Sequence, residues 1–168
     1  MKTILKQYAS SNKWANQRII AVALELPEEV LTMERTGSFS SIHKTLLHIW
    51  DAESGWWQRL KLEEKMILPS AHFKGTTRDI ADAILRQDDL YEQWVYNATP
   101  AGIDHVMQFY NSKREPVKMH VSQLLLHVFN HSTYHRGQLV NQLREAGLTN
   151  LPSTDFFYWL KTAKKSFV

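Results

Sequence analysis

HVFNHSTYHRGQL, residues 127–139, places His127, His131 and His135 at intervals of four in a run that otherwise reads as the inward face of a helix. At about 100° per residue, Leu124, Val128, His131, His135 and Gln142 fall within about 60° of one another, with Val121 and Leu139 flanking them. His131 and His135 therefore point inward, while His127 sits toward one edge beside Tyr134. A rise of about 1.5 Å per residue sets His127 and His135 roughly 12 Å apart, whereas metal–nitrogen bonds are about 2.0–2.1 Å. One ion can take only one i, i+4 pair, and the inward pair is the better placed. A buried imidazole needs partners for both ring nitrogens or bears the cost of an unpaired polar group. A lone core histidine meets this with a hydrogen bond; a divalent cation shared by two satisfies one nitrogen of each. The HxxxH spacing alone is a weak signal.

Working outward, Gly and Pro at Pro27, Gly37, Pro69, Gly75, Pro100, Gly102, Pro116, Gly147 and Pro152 divide the 168 residues into four long blocks. Each reads as a helix. The first spans about residues 3–26, and the second about residues 40–62 with Ser40 or Ser41 as N-cap. The third starts at Thr76 or Thr77 and runs to about Asn97, and the fourth covers about residues 117–146 with Gly147 as its stop. The flanks of HVMQFYNSKREPVKM suit short strands around a turn at 111–115, so a small hairpin or extended crossover is expected between the third and fourth helices. LPSTDFFYWLKTAKK reads as a loop and a short aromatic helix capped by Ser153 or Thr154. The expectation is one all-α domain over residues 1–168, a four-helix bundle, in which ligand and metal sites form from side chains on facing helices.

A third ligand should come from another helix, and the second block offers SSIHKTLLHIWDAESGWW. Its apolar stripe is Ile42, Leu46, Ile49, Trp56 and Leu60. His43 and His48 project about 140° apart, so both cannot serve one site. His48 lies among small residues, Ser41, Thr45, Ala52 and Gly55, where a neighbouring helix or ligand can approach, and it is the ligand of choice; His43 reads as a rim residue. Glu53 falls on the apolar stripe, as a pocket acid, a partner of a ligand histidine, or half of an interhelical ion pair with an arginine such as Arg136. Trp56 and Trp57 could form an apolar lid, although tryptophans at helical spacing are more commonly core. Three neutral imidazoles without a thiolate suit zinc or nickel and leave a position for water or substrate.

Composition removes other classes. No cysteine is present, which excludes disulfides, zinc knuckles, iron–sulfur ligation and a protein thiol nucleophile, so any thiol chemistry draws its thiol from elsewhere. The net charge of +3 is scattered, with a local excess only at Lys161, Lys164 and Lys165, and no nucleic-acid footprint is expected. No run approaches the roughly 18 apolar residues of a membrane span, and the start lacks the apolar region of a secretory signal, so a cytoplasmic location is expected.

YASSNKWANQRII, FSSIHKTLLHIWDAESGWWQRL, HVFNHSTYHRGQLVNQLREAG and LPSTDFFYWL together resemble the DinB family of metal-dependent four-helix proteins over nearly the whole chain. The pairing of HxxxHRGQ with LLHIWDAE is the specific part. The resemblance implies a metal held by His48, His131 and His135; the spacing of the residues themselves makes His127, Glu53 and Tyr134 candidate pocket or supporting residues, with no catalytic acid or base assigned. It also implies reactions that use low-molecular-weight thiols, and association as homodimers; the aromatics of DFFYWL suit either such a contact or packing across the bundle's own open end. Fold likeness says little about the reaction. The expected function is a thiol-dependent S-transferase, the alternatives being metal-dependent hydrolysis or a stress-associated metal-binding module that is not an enzyme.

Overall fold

The computed structural model describes residues 1–111 and 113–163. Four long helices carry the architecture: α1 (Lys2–Ala23), α3 (Ile42–Leu60), α4 (Thr77–Asn97) and α6 (Val121–Glu145). Between them lie the short α2 (Glu28–Thr32), a 3₁₀ turn at Pro69–Ala71, α5 (Pro100–Asp104) and a hairpin of β1 (Val106–Tyr110) and β2 (Pro116–His120); α7 (Phe156–Ala163) follows α6. Around the bundle the order is α1, α4, α3, α6, each helix packing on its two neighbours.

Local chemistry sets the helix starts. The Ser41 hydroxyl accepts a bond from the Lys44 N–H, and Thr76 with Asp79 forms a reciprocal capping box that supplies partners to otherwise orphaned N–H groups. Gly147 closes α6 with φ +96°, a conformation that suits a residue without a Cβ. The hairpin pairs Val106 with His120 and Tyr110 with Pro116, antiparallel, and its turn is held by the Asn111 N–H donating to the Glu115 carbonyl.

The bundle and the hairpin agree with the sequence reading; several boundaries do not. Residues 117–120 pair with β1 instead of opening the fourth helix, because β-branched and long side chains there alternate against the partner strand. The first helix stops at Ala23, with Pro27 starting a separate turn of helix. Neither Ser153 nor Thr154 caps α7: the Tyr158 N–H donates to the Asp155 carboxylate. The aromatics of α7 pack on their own chain, Phe156 stacked on Tyr8 at 4.5 Å and Tyr158 on Trp14 at 6.1 Å, which leaves Phe157 65% exposed. Lys164 and Lys165 lie outside the described residues.

Apolar packing falls into two clusters along the bundle axis. Leu5, Tyr91, Val95, Leu124, Leu125, Val128 and Phe129 fill one end; Ile19, Ile42, Leu46, Ile49, Ile80, Ile84 and Leu139 fill the other. Each such side chain gains about 1.5–3 kcal/mol on burial. Between the two sits a polar layer to which every long helix contributes: Asn12 and Asn16, Glu53, Asp88, and Ser132 with Arg136, all buried. This layer lies directly behind the histidines, since Ser132 and Arg136 follow His131 and His135 in the chain. No helix among the described residues is long and apolar enough to cross a membrane.

Candidate metal centre

α3 and α6 face each other, and the contact brings His48 against His131 and His135, with ring centroids 5.3 and 4.5 Å away. One nitrogen from each of the three rings lies within 4.8 Å of the other two, a set that could hold a metal ion. His131 Nε2 and His135 Nε2 are 3.1 Å apart. Two ligand nitrogens on a tetrahedral ion with bonds of about 2.0–2.1 Å stand roughly 3.3 Å apart, so this pair already has the separation an ion requires. His135 is buried and the other two are partly exposed.

Donor chemistry fits a cation as well. Burial, then the neighbouring His135, His48 and His127 rings, push the His131 imidazole down to about 4. Burial lowers His48 too, with His135 adding to the effect, and burial lowers His135 against an opposing bond from Gln138. Rings held neutral at physiological pH keep a lone pair for an ion and release no proton on binding it. The tautomer at His135 is set by its neighbour: Nδ1 lies 2.9 Å from the Gln138 Oε1, an acceptor, so Nδ1 carries the hydrogen and Nε2 turns its lone pair to the site. The Gln138 amide is held in that orientation by donating from Nε2 to the Ser38 hydroxyl at 3.3 Å.

One wall is built from the segment before α3. Thr45 donates to the Gln142 Oε1 at 2.7 Å, and the Gln142 Nε2 donates to the Phe39 carbonyl at 2.8 Å, which fixes Phe39 so that its ring stacks on His48 at 4.3 Å. The opposite side is more open. His127 is exposed, 5.8 Å from the His131 ring and 4.8 Å from the Trp56 ring, and Tyr134 is 63% exposed with its ring 5.0 Å from His135. His43 lies away from the trio, with its Nδ1 2.8 Å from the Thr77 hydroxyl that Glu28 also binds.

Glu53 is wholly buried and faces the polar layer. Its Oε1 accepts from the Ser132 hydroxyl at 2.7 Å and the Asn12 amide at 3.1 Å, while Oε2 has no partner. Its relation to Arg136 is indirect, which corrects the expectation of a direct ion pair. The guanidinium donates to Asn12 Oδ1 at 2.6 Å, Asn16 Oδ1 at 2.9 Å and the Thr133 hydroxyl at 2.7 Å. The same two amides turn their NH₂ groups to the acids, Asn12 to Asp88 at 2.8 Å as well as to Glu53, and Asn16 to Asp88 at 2.9 Å. Asn12 thus relays the one positive charge to both carboxylates, and Asn16 relays it to Asp88. Burial pushes both carboxyls upward, Asp88 further because Glu53 stands beside it, and burial brings Arg136 down to about 10, still charged at neutral pH.

Sequence reasoning missed Gln138, Phe39 and the two asparagines. Gln138 had a local signal, three residues after a ligand histidine on the same helix face; Phe39 lies in a loop, and its position depends on a bond from a helix 103 residues away.

The DinB family model matches residues 1–164. The chain is 31% identical to Protein DinB of Bacillus subtilis strain 168 over 160 residues, covering 91% of each. Its fold is similar to a crystal structure of a DinB-like protein from Bacillus subtilis, with TM-score 0.69 and 15% identity over 89% of this chain and 98% of that one. A DinB-like protein from Bacillus cereus gives TM-score 0.66 and 20% identity over 87% of this chain and 94% of that one.

Proposed function

We propose, from the premise that this chain belongs to the DinB family, that His48, His131 and His135 hold a divalent ion, zinc or nickel, in a cytoplasmic enzyme that transfers a small thiol cosubstrate to an electrophile. The observation that supports this reading most is the convergence of three neutral imidazoles from two helices with one side of the set left open. A structural ion is closed off by a fourth protein ligand, and none of cysteine type exists in this chain. When bound, the ion supplies Lewis-acid chemistry that favours the thiolate form of a coordinated thiol.

The chain's own groups do the remaining work. Gln138 keeps the His135 lone pair aimed at the site, and Phe39 fixes the plane of the His48 ring and excludes water from that side. His127, lowered by burial and by the nearby Arg59 charge, stays neutral and offers one hydrogen-bond donor and one acceptor to a bound molecule. Tyr134 lies at the same opening, its ring 5.0 Å from that of His135.

Cobalt-loaded protein titrated with small thiols tests the reading. Thiolate-to-metal bands are expected in the wild type and absent in His48→Ala; a spectrum that no thiol changes would leave the ion as a clamp between α3 and α6 and remove the transferase proposal.

A further inference from the structure

Arg59, whose charge acts on His127, is held beside the histidine site. Its guanidinium lies over the Trp56 ring at 4.5 Å and over the Phe109 ring, brought in by the hairpin, at 5.0 Å. Those two rings meet edge to face at 5.8 Å. Among the described residues the Arg59 side chain makes no hydrogen bond and has no carboxylate within ion-pair distance. Arg136, in contrast, has three side-chain bonds. Arg59 is half-buried, and burial lowers its pKa, so the charge has given up part of its hydration without gaining a counter-ion.

Trp56 also meets His127 edge to face at 4.8 Å, and His127 is 5.8 Å from the ligand ring of His131. The path from the His131 ring to the guanidinium thus runs through the His127 and Trp56 rings in three contacts of 5.8, 4.8 and 4.5 Å. Trp56 and Phe109 stand nearly perpendicular to each other and confine the guanidinium on two sides, and its N–H groups, bonded to no described residue, remain available to an acceptor. A planar fork of donors matches a carboxylate, and one positive charge balances one negative charge.

We infer that Arg59 is an anchor for a carboxylate on the small molecule bound at the histidine site. This rests on the proposed function in that one end of the ligand, the thiol, sits at the histidines; the other end carries the anion. His127 and Trp56 line the span between the two. Specificity then comes from length and charge together, because a neutral thiol of the same length leaves the guanidinium without its partner.

The test uses mercaptohexanoate and mercaptohexanol, thiols of equal chain length, titrated into cobalt-loaded protein. The acid is expected to bind about tenfold more tightly than the alcohol. Arg59→Gln should bring the ratio near one with the alcohol's affinity unchanged, and Arg59→Lys should retain part of it. An unchanged ratio in Arg59→Gln overturns the inference and leaves Arg59 as a cover for Trp56 and Phe109. A second arm needs no metal: the Arg59 Nε–H resonance of metal-free protein is followed as hexanoate, hexanol or hexyl phosphate is added. A shift with hexanoate and none with hexanol supports the anchor; no shift with hexanoate, or a shift with hexyl phosphate alone, overturns it. If neither thiol produces thiolate bands, the transferase reading fails by itself, and the resonance arm still decides Arg59.

Discussion

The His131→Ala protein is expected to fold as the wild type does and to lose its ion. Removing one of three ligands should weaken zinc or nickel binding by at least about 100-fold, since even partners behind a ligand are typically worth 10–100-fold. Competition with a chromophoric chelator, read as metal bound per chain, measures it. Gln138→Leu should fall between, about tenfold weaker, because His135 keeps its nitrogen but loses the acceptor that selects the tautomer. The stability of the apo protein should move little in His131→Ala, as the ring is partly exposed and its pKa of about 4 marks a group strained toward neutrality by burial. Wild-type affinity in His131→Ala would show that the ion, if bound, sits elsewhere.

Arg136→Met is expected to destabilise the fold by about 3–5 kcal/mol, because it leaves buried acids without their compensating charge. The guanidinium is buried and its donors hold both relay asparagines, so Asn12 and Asn16 also lose an acceptor bond each. The cost should depend on pH. Glu53 and Asp88 have folded-state pKa values above their unfolded ones, and the Arg136 charge is among the influences that hold them down. A carboxyl raised on folding contributes its full stability below the unfolded pKa and loses it as pH rises through the folded one. Without Arg136 the folded values rise further. The gap between variant and wild type should therefore widen as the pH rises through the folded-state values of the two carboxyls and narrow as it falls below them, read from urea unfolding at each pH. A gap that is small throughout, or that widens on acidification, would contradict the charge relay.

Why the histidines were legible and the relay was not comes down to range. A helix period is local, so Leu124, Val128, His131 and His135 declare their common face within twelve residues; of the small residues around His48, Thr45 meets Gln142 of α6 while Gly55 is covered by Met66 and Leu68. The caps at Ser41 and Thr76 are equally local. Glu53 shows the limit: its place on the apolar stripe announced a buried acid, but its partners lie 41 and 79 residues away on other helices, and nothing in α3 specifies two asparagines of α1 as intermediaries. Arg59 is a second case. It shares a helix with Trp56, while Phe109, which completes the stack, arrives only because β1 and β2 pair in the register they do.

The same separation explains the boundary at residues 117–120. Val117, Met119 and Val121 carry an apolar pattern that a helix or a strand can use, and pairing to Phe109 and Met107 decides it in favour of the strand through His120. The hairpin that results is no ornament on the bundle, since it sets Phe109 against the Trp56–Arg59 pair beside the candidate metal site.

The most direct measurement is X-ray absorption at the metal edge of protein loaded with one equivalent of zinc or nickel. The account predicts three imidazole scatterers at about 2.0–2.1 Å with at least one further light atom, and one imidazole fewer in His48→Ala. A first shell with fewer than two imidazoles, or a wild-type pattern that survives His48→Ala unchanged, would contradict the claim that α3 and α6 close on a single ion.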